Sequence, residues 1–402
     1  MAQAQYSYFK VFLPCLLILP ATCMANSWDS RDITGLYQSQ SELIHRRARS
    51  ISNPIFTRLE KVWSSRRSRL TANNIQRILP IQNAPGKVSI NTPSSKILAF
   101  ENQFTSVLTK HLLSILEISQ WHDNWVLWAS GGVDIGKTGP SSQSSRMDHQ
   151  TDYLTIGIEK NVDENYLLGI AIGSGEDKTG VGAAGSRMAS NDLGLAVYGS
   201  IPMANNYHLE IIYGFNKFGM NTHRNQGTNI IKGKRHNYLT YQSINFAKEI
   251  KYSKLSFNPY TKINIGYANL RPYSESGAST TFKFSEQHFH LLKYHVGALV
   301  DYQLITSMGR FRPFARIEHG VDFSRSSGSH SSLTNGEGDG LHHIRLHHAR
   351  ASHWRFGVGL DFHFYDGLLS TSYDRWEESE MHLDNQPMRE SDTLNLKILL
   401  KF

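Results

Sequence analysis

The chain has 402 residues with a formal charge of +8, 40% apolar and 19% charged residues, 31 Gly and 12 Pro, a composition that excludes extended disorder. A mean hydropathy of −0.39, with no uncharged apolar run of about 18 residues beyond the N-terminus, excludes a bundle of transmembrane helices. Membrane-spanning strands stay open, because each needs only about ten residues and alternates polar with apolar.

Residues 1–25 read as a secretory signal. Lys10 is the charge of the n-region, Val11 to Thr22 the apolar h-region, and Cys23 and Ala25 are the small residues flanking Met24 ahead of a cut after Ala25. Pro20-Ala21-Thr22 before Cys23 is a poor lipobox, which argues against a lipoprotein. Such a cut removes both cysteines, Cys15 and Cys23, and with them any disulfide, Cys-based metal site or thiol nucleophile.

Residues 26–122 read as helix and linker. Asn53-Pro54 makes an N-cap and N1 pair, and Ile55, Leu59, Val62 and Trp63 fall on one face of the helix predicted to follow. Leu79 to Ser95, with Pro80, Pro85-Gly86 and Pro93, is a linker. A second amphipathic helix is predicted over 98–119, with Phe100, Phe104, Val107, Leu108, Leu112 and Ile115 at helical spacing. The segment holds 13 Lys and Arg against 6 Asp and Glu, so almost all of the chain's positive charge sits here.

From residue 123 to 402 apolar residues recur at every second position. Leu154, Ile156 and Ile158 alternate with Tyr153, Thr155, Gly157 and Glu159; Trp354, Phe356, Val358, Leu360, Phe362 and Phe364 alternate with Arg355, Gly357, Gly359, Asp361 and His363. Large apolar residues on one face and small or charged ones on the other is the lipid-out, lumen-in code of a transmembrane barrel. Twelve such runs are predicted, at about 124–136, 151–160, 166–176, 188–202, 207–220, 238–252, 255–270, 287–303, 310–323, 350–364, 367–376 and 391–402. Connections after even-numbered runs are short (Asn161 to Asn165, Met203 to Asn206, Ser253-Lys254, Ile305 to Gly309, Tyr365-Asp366), and those after odd-numbered runs are expected to be long, as with Ser324 to Ala349. This parity is what a barrel with both ends on the periplasmic side requires. The fold class is therefore all-β, a twelve-stranded antiparallel transmembrane β-barrel preceded by a short helical and linker segment.

Several segments carry a family resemblance: Trp128-Ala129-Ser130-Gly131-Gly132, Tyr153 to Glu159, Leu167 to Gly173, Asn191 to Ser200, Pro259 to Ile263, Arg312 to His319, Phe356 to Leu360 and Leu396 to Phe402. In this order and strand count, residues 125–402 resemble the autotransporter β-domain of type V secretion. The resemblance implies an outer-membrane barrel that anchors, and helps to export, an N-terminal passenger. It also implies a helix in the pore just before the first strand, the place that residues 98–119 hold, and a last strand read by the barrel-assembly machinery. Leu396, Ile398, Leu400 and the terminal Phe402 would form that assembly signal. The sequence departs from the family in having fewer than about a hundred residues between signal and barrel, with no repeat that would build a β-helix passenger. Asn73-Asn74 is similar to a paired-Asn cleavage point but lies far from the first strand, where a plain linker accounts for it.

Inward charges are predicted at Glu159, Glu210, Asp301, Glu318, Asp322, Asp361 and Asp374, facing Arg312, Arg316, Arg355, Lys397 and Lys401. A salt-bridged lumen lining explains them better than a catalytic site does, and its acids would suit a basic segment threaded through the pore. The cluster His45-Arg46-Arg47-Ala48-Arg49, with Arg66, Arg67 and Arg69, lacks the interleaved aromatics of a nucleic-acid surface, so lumen carboxylates or lipopolysaccharide are its expected partners. His342-His343 and His347-His348, with His353, could hold Zn or Cu, but solvated loop histidines need no ion, so no metal and no cofactor is expected. Tyr207, Tyr238, Tyr252, Phe284, Phe323 and Trp376 suit interfacial girdles or ordinary packing.

No Gly-x-Ser-x-Gly and no His-Glu-x-x-His occurs, and no enzyme is predicted. The expectation is an outer-membrane monomer in contact with membrane lipid and lipopolysaccharide, delivered by the general secretion and barrel-assembly machineries, with no nucleic-acid partner. A passive pore or solute channel is the alternative, and a barrel phospholipase a more distant one.

Overall fold

A computed structural model describes residues 25–72, 125–141, 144–162, 166–226, 228–278, 281–324, 328–333, 342–345, 351–364, 367–380 and 389–401, with side chains for all of these except 25–30, 63–72, 328–333, 342–345, 380 and 401. The signal segment up to residue 24, the linker and helix predicted over 79–95 and 98–119, and Phe402 lie outside the described residues.

Twelve long strands form the wall: β1 (Trp125–Thr138), β2 (Met147–Asn161), β3 (Leu167–Val181), β4 (Ser186–Pro202), β5 (Tyr207–Gln226), β6 (Asn229–Lys248), β7 (Leu255–Leu270), β8 (Gln287–Tyr302), β9 (Gly309–Asp322), β10 (Ala351–Phe364), β11 (Gly367–Glu380) and β12 (Arg389–Lys401). Each pairs antiparallel with its sequence neighbours. The sheet closes where β1 meets β12, with Val126 opposite Lys401 and Gly131 opposite Leu396. Short strands at Ile250–Tyr252 and Leu304–Thr306 prolong β6 and β8 into the tight turns.

The alternation fixes which face each side chain takes. Leu168, Ile172, Leu193 and Val358 are each more than half exposed on the outside, a belt of apolar surface that would be costly in water and is at home in hydrocarbon. Their immediate neighbours Gly169, Gly194, Gly357 and Gly359 point inward and make room for other side chains, Tyr198 at Gly169, Phe314 at Gly359, Ile51 at Gly194 and Asp374 at Gly357. Gly169 stands directly opposite Tyr198, Gly214 opposite Tyr241 and Gly297 opposite Tyr260. A Cβ on Gly214 would lie 2.1 Å from Tyr241 Cζ, so each ring lies over the bare backbone of the adjacent strand.

The loop parity holds less strictly than expected. Gly182 to Gly185, after β3, is a tight turn rather than a long loop, and β5 is followed within three residues by β6. The residues assigned to loops there are consumed by the ladder, which runs to Val181 opposite Ser186 and to Gln226 opposite Asn229. β5 and β6 reach 20 residues each, well past the roughly 9–11 that cross a bilayer, so these hairpins project beyond the membrane at the loop end.

Two of the proposed girdle residues face the wrong way for that role. Phe284 is buried and stacks on Tyr273, with ring centroids 4.7 Å apart. Trp376 is buried in the lumen, where Arg49 lies 4.8 Å and Arg355 5.0 Å from its ring centre. Tyr252 and Phe323 do lie exposed.

Candidate functional site

The lumen is filled by α1 (Ala25–Ala72), a 48-residue helix with Pro54 in its interior. Asn53-Pro54 is therefore not a helix start, as the sequence suggested, but an interruption that the helix runs through. Proline removes one backbone donor, and the wall grips the turn where this happens: Lys397 donates to the Pro54 carbonyl at 2.9 Å. Within the helix, Thr57 Oγ1 donates to the Asn53 carbonyl at 2.8 Å and Ser52 Oγ to the Ala48 carbonyl at 2.7 Å.

The direction of α1 follows from its partners. Asp32 accepts from Ser145 and Ser186, at the mouth that carries the long loops. Lys61 reaches Asp361 and Ser370, near the mouth of the short turns, where β1 begins. The helix thus enters at the loop mouth and leaves at the turn mouth.

Its surface is complementary to the wall in charge and in shape. Arg46 bonds Asp177 on β3 at 2.7 Å and Arg47 bonds Asp192 on β4 at 2.8 Å. Arg58 pairs with Glu159 on β2, Lys61 with Asp361 on β10 at 2.6 Å, and Arg49 lies 3.9 Å from Asp134 on β1. In the opposite sense Glu60 receives Arg316 of β9, and Glu42 receives Arg389 of β12 at 3.0 Å. A desolvated ion pair is favourable only when its remaining lone pairs are satisfied, and four of the wall acids have further donors. Asp177 also accepts from Thr151 at 2.6 Å, Asp192 from Asn216, Glu159 from Tyr198 at 3.0 Å, and Asp361 from Arg312 at 2.6 Å. Between the ionic contacts Leu43, Ile44, Ile51, Ile55 and Leu59 are buried in the same core as wall residues Trp128, Ile212 and Leu239. Ile51 seats against Gly194, where a Cβ would lie 2.1 Å from its Cδ1.

The predicted lumen charges Glu159, Glu210, Arg312, Arg316, Glu318, Arg355, Asp361 and Asp374 are all buried inside the barrel. Arg355 bonds Asp374 at 2.9 Å, Glu318 receives Lys262 at 3.0 Å and Glu210 accepts from Asn245 at 2.9 Å. Asp322 receives Lys293 at 2.9 Å, and Asp301 accepts from Asn258 at 3.3 Å. The lining is thus shared between wall and helix rather than paired within the wall alone. Asp134, Asp177, Asp192, Lys262 and Arg389 belong to it and were not predicted. Asp192 and Lys262 carried a signal, because each directly precedes an apolar outward residue, Leu193 and Ile263, on a predicted strand; Asp177 fell in an expected loop. Of the assembly-signal residues, Leu396, Ile398 and Leu400 lie on one face of β12 and are partly exposed. His353 points into the lumen from β10, away from the loop histidines with which it was grouped.

A closed antiparallel barrel with an apolar outer belt and a charged lumen occupied by its own N-terminal helix defines an integral outer-membrane protein. Residues 127–371 match the family described as Autotransporter beta-domain, and the chain belongs to that family, as an outer-membrane β-barrel of type V secretion. Among solved structures it is similar to the translocator domain of the autotransporter NalP from Neisseria meningitidis, with a TM-score of 0.56 and 11% identity over 77% of this chain and 100% of that one. It is similar to the β domain of the Bordetella autotransporter BrkA as well, with a TM-score of 0.55 and 11% identity over 70% of this chain and 100% of that one. Among curated protein sequences there is no significant match.

Proposed function

We propose that the barrel anchors the chain in the outer membrane and that α1 is the segment left in the translocation path, closing it. The observation that carries this reading is the direction of α1, with its Asp32 end at the loop mouth and its Lys61 end beside the start of β1, the geometry left by a chain that passed outward through the lumen as a hairpin. The ion pairs fix the register in which it stops. We further propose that the signal segment is removed after Ala25, that the protein acts as a monomer without catalysis, and that lipopolysaccharide and the secretion and assembly machineries are its partners. An N-terminal sequence of the purified protein beginning at Asn26 would support the cleavage.

Deleting residues 26–62 and recording single-channel conductance in planar bilayers tests the plug. The parent protein should be nearly silent and the deletion should open a stable conductance. The competing reading, an open solute channel, predicts equal conductance for both proteins, and that result would overturn the plug.

A further inference from the structure

On the lumen wall, outside the ion pairs that hold α1, three side chains converge: His295 of β8, Glu318 of β9 and His353 of β10, all buried, with ligand atoms within 4.8 Å of one another. We propose that they form a binding site for a divalent transition-metal ion of the Zn²⁺ type.

Backbone register brings them together. His295 stands opposite Gly320, and Gly320 stands opposite His353, so the three lie in one row across neighbouring strands, with Glu318 two residues along on the same face. The two imidazoles meet over the bare backbone at 320; a Cβ there would lie 2.2 Å from His353 Cε1 and 2.8 Å from His295 Nδ1. His295 Nδ1 is 3.1 Å from Glu318 Oε1 and 3.2 Å from His353 Nε2. Tetrahedral zinc with bonds of about 2.0–2.1 Å sets neighbouring ligand atoms roughly 3.3 Å apart, close to both spacings.

The surroundings are those of a metal's outer shell. Glu318 Oε2 is held by Lys262 at 3.0 Å and Tyr260 at 2.8 Å, which leaves Oε1 directed at the two rings. The Asn264 amide lies 2.9 Å from His295 Nε2, and its Oδ1 is buried without a hydrogen-bond partner. Rotating that amide satisfies the oxygen with the Nε2 proton and leaves Nδ1 as a lone pair. With His353 in its Nδ1–H form, three acceptors then face one another, an arrangement that a cation stabilises. Lys262 offsets the charge of Glu318, while Lys293 and Arg355 are neutralised by Asp322 and Asp374. A cavity of about 40 Å³, lined also by His45 of α1, adjoins the rings and provides room for a water as fourth ligand. An ion bound here would face the plug.

The test uses the full chain folded in detergent, equilibrium dialysis against Zn²⁺, and metal counted by mass spectrometry. One Zn²⁺ per chain is expected for the parent. His295→Ala and His353→Ala should each weaken binding at least tenfold, and zinc-edge X-ray absorption should show mixed nitrogen and oxygen ligation. Gly320→Ala should also lose the ion, since its Cβ displaces both rings while every ligand remains. Heat-modifiable gel migration identifies which variants are folded. Replacing His342, His343, His347 and His348 together by alanine should leave binding unchanged. Absence of a stoichiometric ion in the parent, or binding that survives His295→Ala and Gly320→Ala but disappears with the loop histidines, would overturn the proposal.

Discussion

Replacing Arg47 by Met probes the plug at its most enclosed ionic contact. Both side chains of the Arg47–Asp192 pair are essentially inaccessible, at 0% and 1% exposure, and Arg47 also donates to the Ser190 carbonyl at 2.7 Å. Methionine keeps most of the volume and removes the charge, leaving the Asp192 carboxylate buried with Asn216 as its remaining side-chain donor. Breaking one side of a buried ion pair costs about 3–5 kcal/mol. That cost falls on the plugged state alone, because withdrawal of α1 floods the lumen and hydrates Asp192. At roughly 1.4 kcal/mol per factor of ten, the equilibrium between plugged and open lumen should move toward the open form by roughly two to three and a half orders of magnitude.

Single-channel recording reads this as openings that are rare in the parent and frequent in Arg47→Met. The double variant Arg47→Met/Asp192→Asn removes the stranded charge and should restore closure to within about tenfold of the parent, the non-additivity expected of residues in contact. Arg146→Ala serves as the surface control: its pair with Asp148 is more than half exposed on both sides, and such pairs contribute little. A folded Arg47→Met barrel that stays as silent as the parent would refute the view that these ion pairs hold the helix. A double variant that opens as often as the single one would refute the stranded-charge account.

Other consequences follow from the wall. Gly214→Ala should lower the temperature at which the folded gel band disappears, since its Cβ collides with the Tyr241 ring and overpacking typically costs about 1–3 kcal/mol; Gly180→Ala, whose Cβ would meet nothing nearer than 3.9 Å, should not. Arg235 donates to the carbonyls of Leu270 at 2.9 Å, Ser285 at 3.0 Å and Arg271, and to Gln40 of α1 at 2.8 Å. Arg235→Ala should therefore speed tryptic cleavage at Lys283 severalfold, and Arg235→Lys should not rescue it, because an ammonium cannot span that fork of acceptors. Removing Phe402 should reduce the heat-modifiable fraction in outer membranes while leaving refolding in detergent intact; equal loss in both would place its role in stability rather than in assembly.

The barrel was legible because period-two alternation has a single physical cause, one face in lipid and the other in a polar lumen, and all twelve strands carry it. What the pattern does not encode is where pairing stops. Beyond the bilayer the hairpins of β3–β4 and β5–β6 continue with polar residues on both faces, so Asp177 and Arg224 read as loop although they are held in the ladder and in ion pairs. The long glycine–aromatic pairings were hidden for a different reason: each joins residues 20 or more positions apart, and only the register shows that Gly169 faces Tyr198.

The place of α1 in the lumen was hidden for a more general reason. The expectation for a helix buried on all sides is that it should be apolar all round, with an amphipathic stripe marking one buried against a single surface. α1 is neither, since nine Lys and Arg and four Asp and Glu are spread along it. Its container is the unusual partner. A barrel lumen lined by Asp134, Glu159, Asp177, Asp192 and Asp361 makes charge, not apolarity, the currency of burial, so the helix that fits inside looks from its own sequence like an exposed basic segment. The cluster His45 to Arg49 and the inward acids were each recognisable, and their complementarity was foreseen in kind; which segment fills the lumen was not, because 98–119 has the conventional amphipathic pattern throughout and residues 25–62 show it plainly only from Ile55 to Val62. For helices that thread polar pores, charge complementarity to the inward strand face is therefore the better signal, and in this chain it points to Arg46, Arg47, Arg58 and Lys61.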